Sequence, residues 1–185
     1  MNFHATSKTS ILKASKELVR TKGWEKLSIR AVAAECGISV GTIYNYYDSK
    51  TKLMEATAQS IWAEIFHRPK NQPPYQDICT CITNIHKQME AGCKKYPDCF
   101  FLHPSGFNHK EIEGAREIMR ETWTEIVSDL SAILTRDKNV RKDAFTEQFT
   151  KEMFSDFLFC QTLAALIRQN YDPTTLLEIT RRTLY

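Results

Sequence analysis

Apolar residues recur at every third or fourth position along almost the whole chain, and nowhere do they alternate. That period belongs to helices, and a chain that keeps it has no sheet to build. Breakers are few for 185 residues: six glycines and six prolines, three of those prolines between Arg68 and Pro74. The expected fold class is therefore all-α, with about nine helices. Ile11, Leu12, Ala14, Leu18 and Val19 predict a first helix over 9–22 that Gly23 ends, with Trp24 and Leu27 packing the corner. Ser28 can cap a second helix through Ile29, Val32 and Ala33 to Cys36, where Gly37 stops it and Ile38 turns back to the core. Ser39 can cap a very short third helix over 40–46. Asp48 and Ser49 open a long fourth one, with Leu53, Met54, Thr57, Ala58, Ile61, Trp62, Ile65 and Phe66 on its apolar face.

Beyond the proline segment, Ile78, Cys81, Ile82, Ile85, Met89 and Cys93 share a helical face that ends at Tyr96-Pro97. Residues 99–109 are aromatic and broken by Pro104 and Gly106, and Ile112 to Leu134 mark another long helix. A polar turn at 137–141 precedes a helix expected over about 143–170, apolar on more than one side through Phe145, Phe149, Met153, Phe157, Cys160, Ala164 and Ile167. Asp172-Pro173 then opens a last helix carrying Leu176, Leu177, Ile179, Thr180 and Leu184.

Composition narrows the function classes. The uncharged stretch Phe157–Ile167 is too short to span a bilayer, and Ile11-Leu12 run straight into Lys13, so no apolar signal core forms. The expectation is a soluble cytoplasmic protein without a membrane partner. Its six cysteines form no CxxC pair and match no common zinc spacing, so they read as small buried hydrophobes. Among five histidines there is no HExxH, and Glu64 with His67 makes a single ExxH with no second to pair it. No enzyme, cofactor or metal is expected.

Charge is unevenly placed. Nine basic and four acidic residues through Met54 give +5 against a whole-chain +3, which leaves −2 for the rest. A basic amino-terminal surface suits a polyanion, although a merely solvated basic face has the same composition. The turn Cys36-Gly37-Ile38-Ser39 between two short helices makes a helix-turn-helix. Its second helix is anchored by Ile43, leaving the outward residues to address DNA. Thr42 can bond a phosphate or base edge, and Tyr44 and Tyr46 can reach phosphates. Lys50 lies in the first turn of the next helix, where free N–H groups favour an anion. Ser28 and Arg30 do similar work on the second helix.

These residues carry a resemblance. The run GWEKLSIRAVAAECGISVGTIYNYYDSKTKLM, residues 23–54, resembles the DNA-binding domain of TetR-family transcriptional regulators. Its strongest elements are Gly23 with the aromatic Trp24 after it, Ser28-Ile29-Arg30, Ala33, Gly37-Ile38-Ser39, Thr42-Ile43-Tyr44 with Tyr47, and Lys50 with Leu53. The resemblance implies a DNA-binding domain over 1–48 and a helical effector-binding and dimerisation domain over 49–185. It implies a homodimer on a palindromic operator, most often a repressor, released by a small-molecule effector. By position, Ser28, Arg30, Val40, Gly41, Thr42, Tyr44, Asn45, Tyr46 and Lys50 become DNA contacts, with Ile43 and Tyr47 in the core. Val40 and Gly41 lack long polar side chains, so base readout falls more to Arg30, Thr42, Asn45 and DNA shape.

In the carboxyl-terminal body, Trp62, Phe66, His86, Met89, Phe101, His103, Phe107, Trp123 and Phe157 are candidates for a largely apolar effector pocket, though aromatics at helical spacing also serve as plain core. Phe149, Met153, Cys160, Ala164, Ile167 and Leu177 are candidates for a dimer interface of two helices from each subunit, or for intramolecular core. Other readings remain open. A thiol sensor would use Cys79, Cys81, Cys93 and Cys99, a metal sensor Cys99, His103 and His109, and an effector-independent DNA binder neither.

Overall fold

The computed structural model describes residues 7–66, 75–96 and 109–185, with side chains from residue 123 onward in the last span. Phe101, His103, Phe107, Cys99 and the segment 68–74 lie outside the described residues, as does the His109 side chain. The described chain contains eight α-helices and one 3-10 turn, without a strand. They are α1 Lys8–Lys22, the 3-10 turn Trp24–Lys26, α2 Ile29–Cys36, α3 Val40–Tyr44, α4 Lys50–Phe66, α5 Ile78–Lys95, α6 His109–Arg136, α7 Lys151–Ile167 and α8 Thr174–Leu184. The chain divides into two compact units, Met1–His67 with Gly92–Glu113 and Arg68–Ala91 with Gly114–Tyr185, so α5 and α6 each supply residues to both.

In the first unit, α1 packs on α2 and α4, and α2 on α3. Ser7 and Ser10 close a capping box at the start of α1. Ile11, Leu18, Val19, Leu27, Val32, Ile43, Leu53 and Ile61 form the core. The buried hydroxyls of Ser15 and Thr57 donate to Ile11 and Leu53 carbonyls of their own helices, at 2.9 and 2.7 Å, so they need no outside partner. At the far end of α4, a Cβ on Gly92 would lie 2.6 Å from Ile65 Cδ1, so glycine is what lets α5 approach this closely.

Beside that contact, the Glu64 carboxylate accepts from Lys16 Nζ at 2.7 Å, Lys95 Nζ at 2.5 Å and the Tyr96 hydroxyl at 3.0 Å. Burial alone would raise its pKa. The hydrogen bonds from Lys16, Lys95 and Tyr96 outweigh that and hold it at about 2, below the ordinary 4.5. A carboxylate depressed in this way stabilises the fold above pH 4.5, and that contribution is lost as pH falls toward 2. The thermal midpoint is expected to fall over this window, and less steeply in Glu64→Gln. Equal slopes for the two proteins would refute the assignment.

The second unit has its own core of Ile78, Cys81, Ile82, Leu130, Ile133, Leu134, Phe154, Leu158, Phe159, Leu176 and Leu184. Here one expectation is corrected. The helix expected over about 143–170 begins only at Lys151, because the Thr150 hydroxyl accepts from the Met153 amide at 3.2 Å and caps it. Thr146 and Phe149 before it close a turn on each other's backbone. Phe145 and Phe149 keep helical spacing in sequence because both pack back onto Phe154, at 6.3 and 5.7 Å between ring centroids. Similarly, α3 ends at Tyr44 rather than 46, where Tyr46 and Tyr47 amides both turn onto the Ile43 carbonyl. The last helix, α8, begins at Thr174, so Pro173 stands at its cap position rather than in the first turn as expected, and the Asp172 carboxylate accepts from the Thr174 amide at 2.9 Å.

Candidate nucleic-acid interface

The helix-turn-helix is built by local hydrogen bonding. Ser28 Oγ accepts from the Ala31 amide at 3.1 Å and opens α2. At its end Gly37 sits at φ 65°, ψ 31°, the left-handed region that favours glycine. The Ile38 amide then reaches back to the Ala33 carbonyl at 3.0 Å, closing the helix end. Ser39 Oγ accepts from the Thr42 amide at 3.1 Å and lies 2.9 Å from the Thr42 hydroxyl, which orients that side chain. Ser49 repeats the device at α4, accepting from the Lys52 amide at 3.1 Å.

Burial sorts this segment into two faces. Ile43 is 0% and Tyr47 4% exposed, so both lie in the core. The Tyr47 hydroxyl is buried without a partner in the protein, and burial pushes its pKa up. Lys8 Nζ stands 5.5 Å from the Tyr47 ring centroid, a cation–π contact that periodicity does not reveal. Outward stand Val40, Tyr44 and Tyr46, at 38, 49 and 37% exposed. Arg30, Gly41, Asn45 and Lys50 are exposed too, while Ser28, the cap of α2, and Thr42, held by Ser39, are half-buried. A Cβ on Gly41 would meet only Ser39 Oγ, at 3.7 Å, so nothing within the protein requires glycine there. The result is a small polar and aromatic platform, with Arg30 and Lys50 on the adjoining helices.

Residues 11–57, which contain this platform, match the family described as bacterial regulatory proteins, tetR family. Over these residues the chain is similar to the TetR family. The transcriptional repressor KstR of Rhodococcus jostii (strain RHA1) is 29% identical over 92 residues, 48% of this chain and 43% of that protein. The nucleoid occlusion factor SlmA of Pasteurella multocida (strain Pm70) is 40% identical over 47 residues, 25% of this chain and 24% of that one. The chain thus spans less than half the length of these curated relatives. BioQ, in a crystal structure with its double-stranded DNA operator, shares the fold, with a TM-score of 0.60, 14% identity and 94% of each chain covered. The fold shared with BioQ thus extends over nearly the whole chain, while the family match is confined to residues 11–57.

The expected effector residues fall in different surroundings. Trp62 and Phe66 meet edge to face at 6.4 Å in the first unit. Trp123 lies edge to face on Phe159 at 4.7 Å and donates to Asp156 at 2.9 Å, and Phe157 stacks on Phe154 at 5.9 Å. Met89 is fully buried. His86 lines an open cleft of about 610 Å³ in the second unit, together with residues 169–173. That polar segment carried no periodic signal, so only folding brings it to His86.

Of the expected dimer residues, Met153 and Ile167 stand 54 and 70% exposed on α7. Cys160 and Ala164 are half-exposed between them, while Leu177 and Phe149 pack toward the second core. Burial raises the thiol pKa of Cys36, Cys79 and Cys160, opposite to what a reactive thiolate needs. Among the described residues no group of three His, Cys, Asp or Glu could hold a metal ion, and no helix is long and apolar enough to cross a membrane.

Proposed function

We propose that this chain is a ligand-responsive transcriptional regulator that binds a palindromic operator as a homodimer and acts as a repressor. In this reading residues 1–48 bind DNA, and residues 49–185 bind effector and dimerise. The observation that carries it is the division of residues 40–47: Ile43 and Tyr47 wholly inside, Val40, Gly41, Tyr44, Asn45 and Tyr46 outside. Two exposed tyrosines and an exposed valine within seven residues give this segment an outward surface suited to covering by DNA. The repressor KstR and operator-bound BioQ agree in direction. The SlmA match covers only a quarter of each chain and so does not favour a nucleoid role over transcription.

A second copy of the chain supplies the cover for the α7 face of Met153, Cys160, Ala164 and Ile167, with Ile179 of α8 adding apolar surface. The effector of this reading is small and largely apolar, taken by the aromatic set of the carboxyl-terminal body. Release follows if it favours a spacing of the two DNA-binding domains that no longer fits the half-sites.

Selection of bound duplexes from a random pool, at two salt concentrations, tests the reading. One palindromic sequence with steep salt dependence is expected; no preferred sequence would overturn it. Gly41→Ala sharpens the test. Nothing in the protein opposes the methyl, and helix propensity favours it by up to ~1 kcal/mol. Stability should hold or rise while operator affinity falls about tenfold, or about 1.4 kcal/mol, because the backbone no longer comes as close to DNA.

A further inference from the structure

The first turn of α3 is Val40-Gly41-Thr42. Val40 is 38% exposed and Gly41 is exposed, whereas Thr42 is half-buried. The Thr42 hydroxyl lies 2.9 Å from Ser39 Oγ, which also accepts from the Thr42 amide at 3.1 Å. The two hydroxyls of this turn are thus engaged with each other, and its large exposed side chain is the Val40 isopropyl group. Ile43, next along, is wholly buried. The longer polar side chains stand elsewhere: Tyr44, Asn45 and Tyr46 follow this turn, and Arg30 and Lys50 lie on α2 and α4.

In a helix-turn-helix the first residues of the second helix reach base edges in the major groove. The groups displayed there are hydrogen-bond donors and acceptors, with one apolar exception, the C5-methyl of thymine. An isopropyl group set against a donor or acceptor strips its water and returns no hydrogen bond, which costs free energy. Set against the thymine methyl, it buries hydrocarbon on both partners. A β-branched side chain is stiff at χ1, so little rotamer freedom is lost in that contact. Gly41 beside it has no side chain to hold the turn away from the groove, and a Cβ there would meet only Ser39 Oγ. The lack of polar reach at positions 40 and 41 therefore does not make this turn blind to sequence.

We propose that Val40 is a specificity-determining residue that selects a thymine in each operator half-site through the C5-methyl group. The inference rests on the operator-binding reading and deepens it, by naming the base that the first turn of α3 prefers. Arg30, Lys50 and the tyrosines hold the duplex, and Val40 discriminates along it.

The test uses the full chain and two random duplex pools, one made with thymidine and one with deoxyuridine, which lacks only the C5-methyl. The thymidine pool should yield a palindrome with a fixed thymine in each half-site, and the deoxyuridine pool the same palindrome with that position relaxed. The palindrome is then resynthesised with deoxyuridine at that one position of each half-site. Binding should weaken about fourfold for each methyl lost, or about 0.8 kcal/mol, and so about sixteenfold for the duplex. 5-Bromodeoxyuridine, whose bromine is of methyl size, should restore it. Val40→Ala should bind the thymidine duplex about as weakly as the unaltered protein binds the deoxyuridine one, and should no longer tell the two apart. Should that variant fail to fold, the deoxyuridine and bromodeoxyuridine duplexes on the unaltered protein still decide. A palindrome that tolerates deoxyuridine at every thymine, or a deoxyuridine penalty that Val40→Ala leaves intact, overturns the proposal while the regulator reading stands. No preferred sequence in either pool overturns both.

Discussion

Ile43→Ala should destabilise the amino-terminal unit by about 2–5 kcal/mol and abolish operator binding with it. Ile43 is wholly buried, and it is the residue of the five-residue α3 that reaches the core. A helix this short has no stability of its own in water, so its position rests on that side chain and on the caps at Ser39 and Gly37. Truncation to alanine leaves a cavity among Ile11, Leu18, Val19, Leu27 and Val32 and releases the platform that carries Tyr44 and Tyr46. Denaturant unfolding followed by helix content gives the first number, and a band-shift titration the second. Retained operator binding in a protein destabilised this far would show that α3 is held by something other than Ile43.

Arg30→Ala with Lys50→Ala separates binding from folding. Both side chains are exposed, and neither has a described ion-pair partner. Their loss should leave the melting temperature within error. If each meets a phosphate, the slope of log affinity against log salt should fall by about 0.9 per residue, or about 1.8 for the pair. Affinity at physiological salt should fall by one to two orders of magnitude, about 1.4 kcal/mol for each tenfold. A lower affinity with an unchanged slope would mean that these residues act by shape or positioning and not by neutralising phosphate.

The legibility of each feature follows the range of the interactions behind it. Ser28, Gly37 and Ser39 were readable because a cap satisfies its own helix within three or four residues, so the residue type alone states the conformation. Ile43 and Tyr47 were readable as core, and the outward set as surface, because a helix-turn-helix leaves so few side chains to share between two faces. The helix over 143–150 was misread because phenylalanines at helical spacing do not reveal whether the intervening backbone is helical. Phe145 and Phe149 reach Phe154 from a turn instead, and the Thr150 cap was the local clue.

By itself, then, the sequence determined the all-helical class, the caps and turns of the DNA-binding domain and the side chains it presents outward. All of these are decided between neighbours a turn or two apart. Only the tertiary structure decided the rest. Glu64 meets Lys16 from 48 residues away and Lys95 from 31. Buried Asp137 accepts from the Tyr185 hydroxyl, and His86 finds the Tyr171 carbonyl 85 residues further on. Such pairings carry no period in the chain. A charged or polar side chain reads as solvated until packing takes water away and obliges it to find a partner.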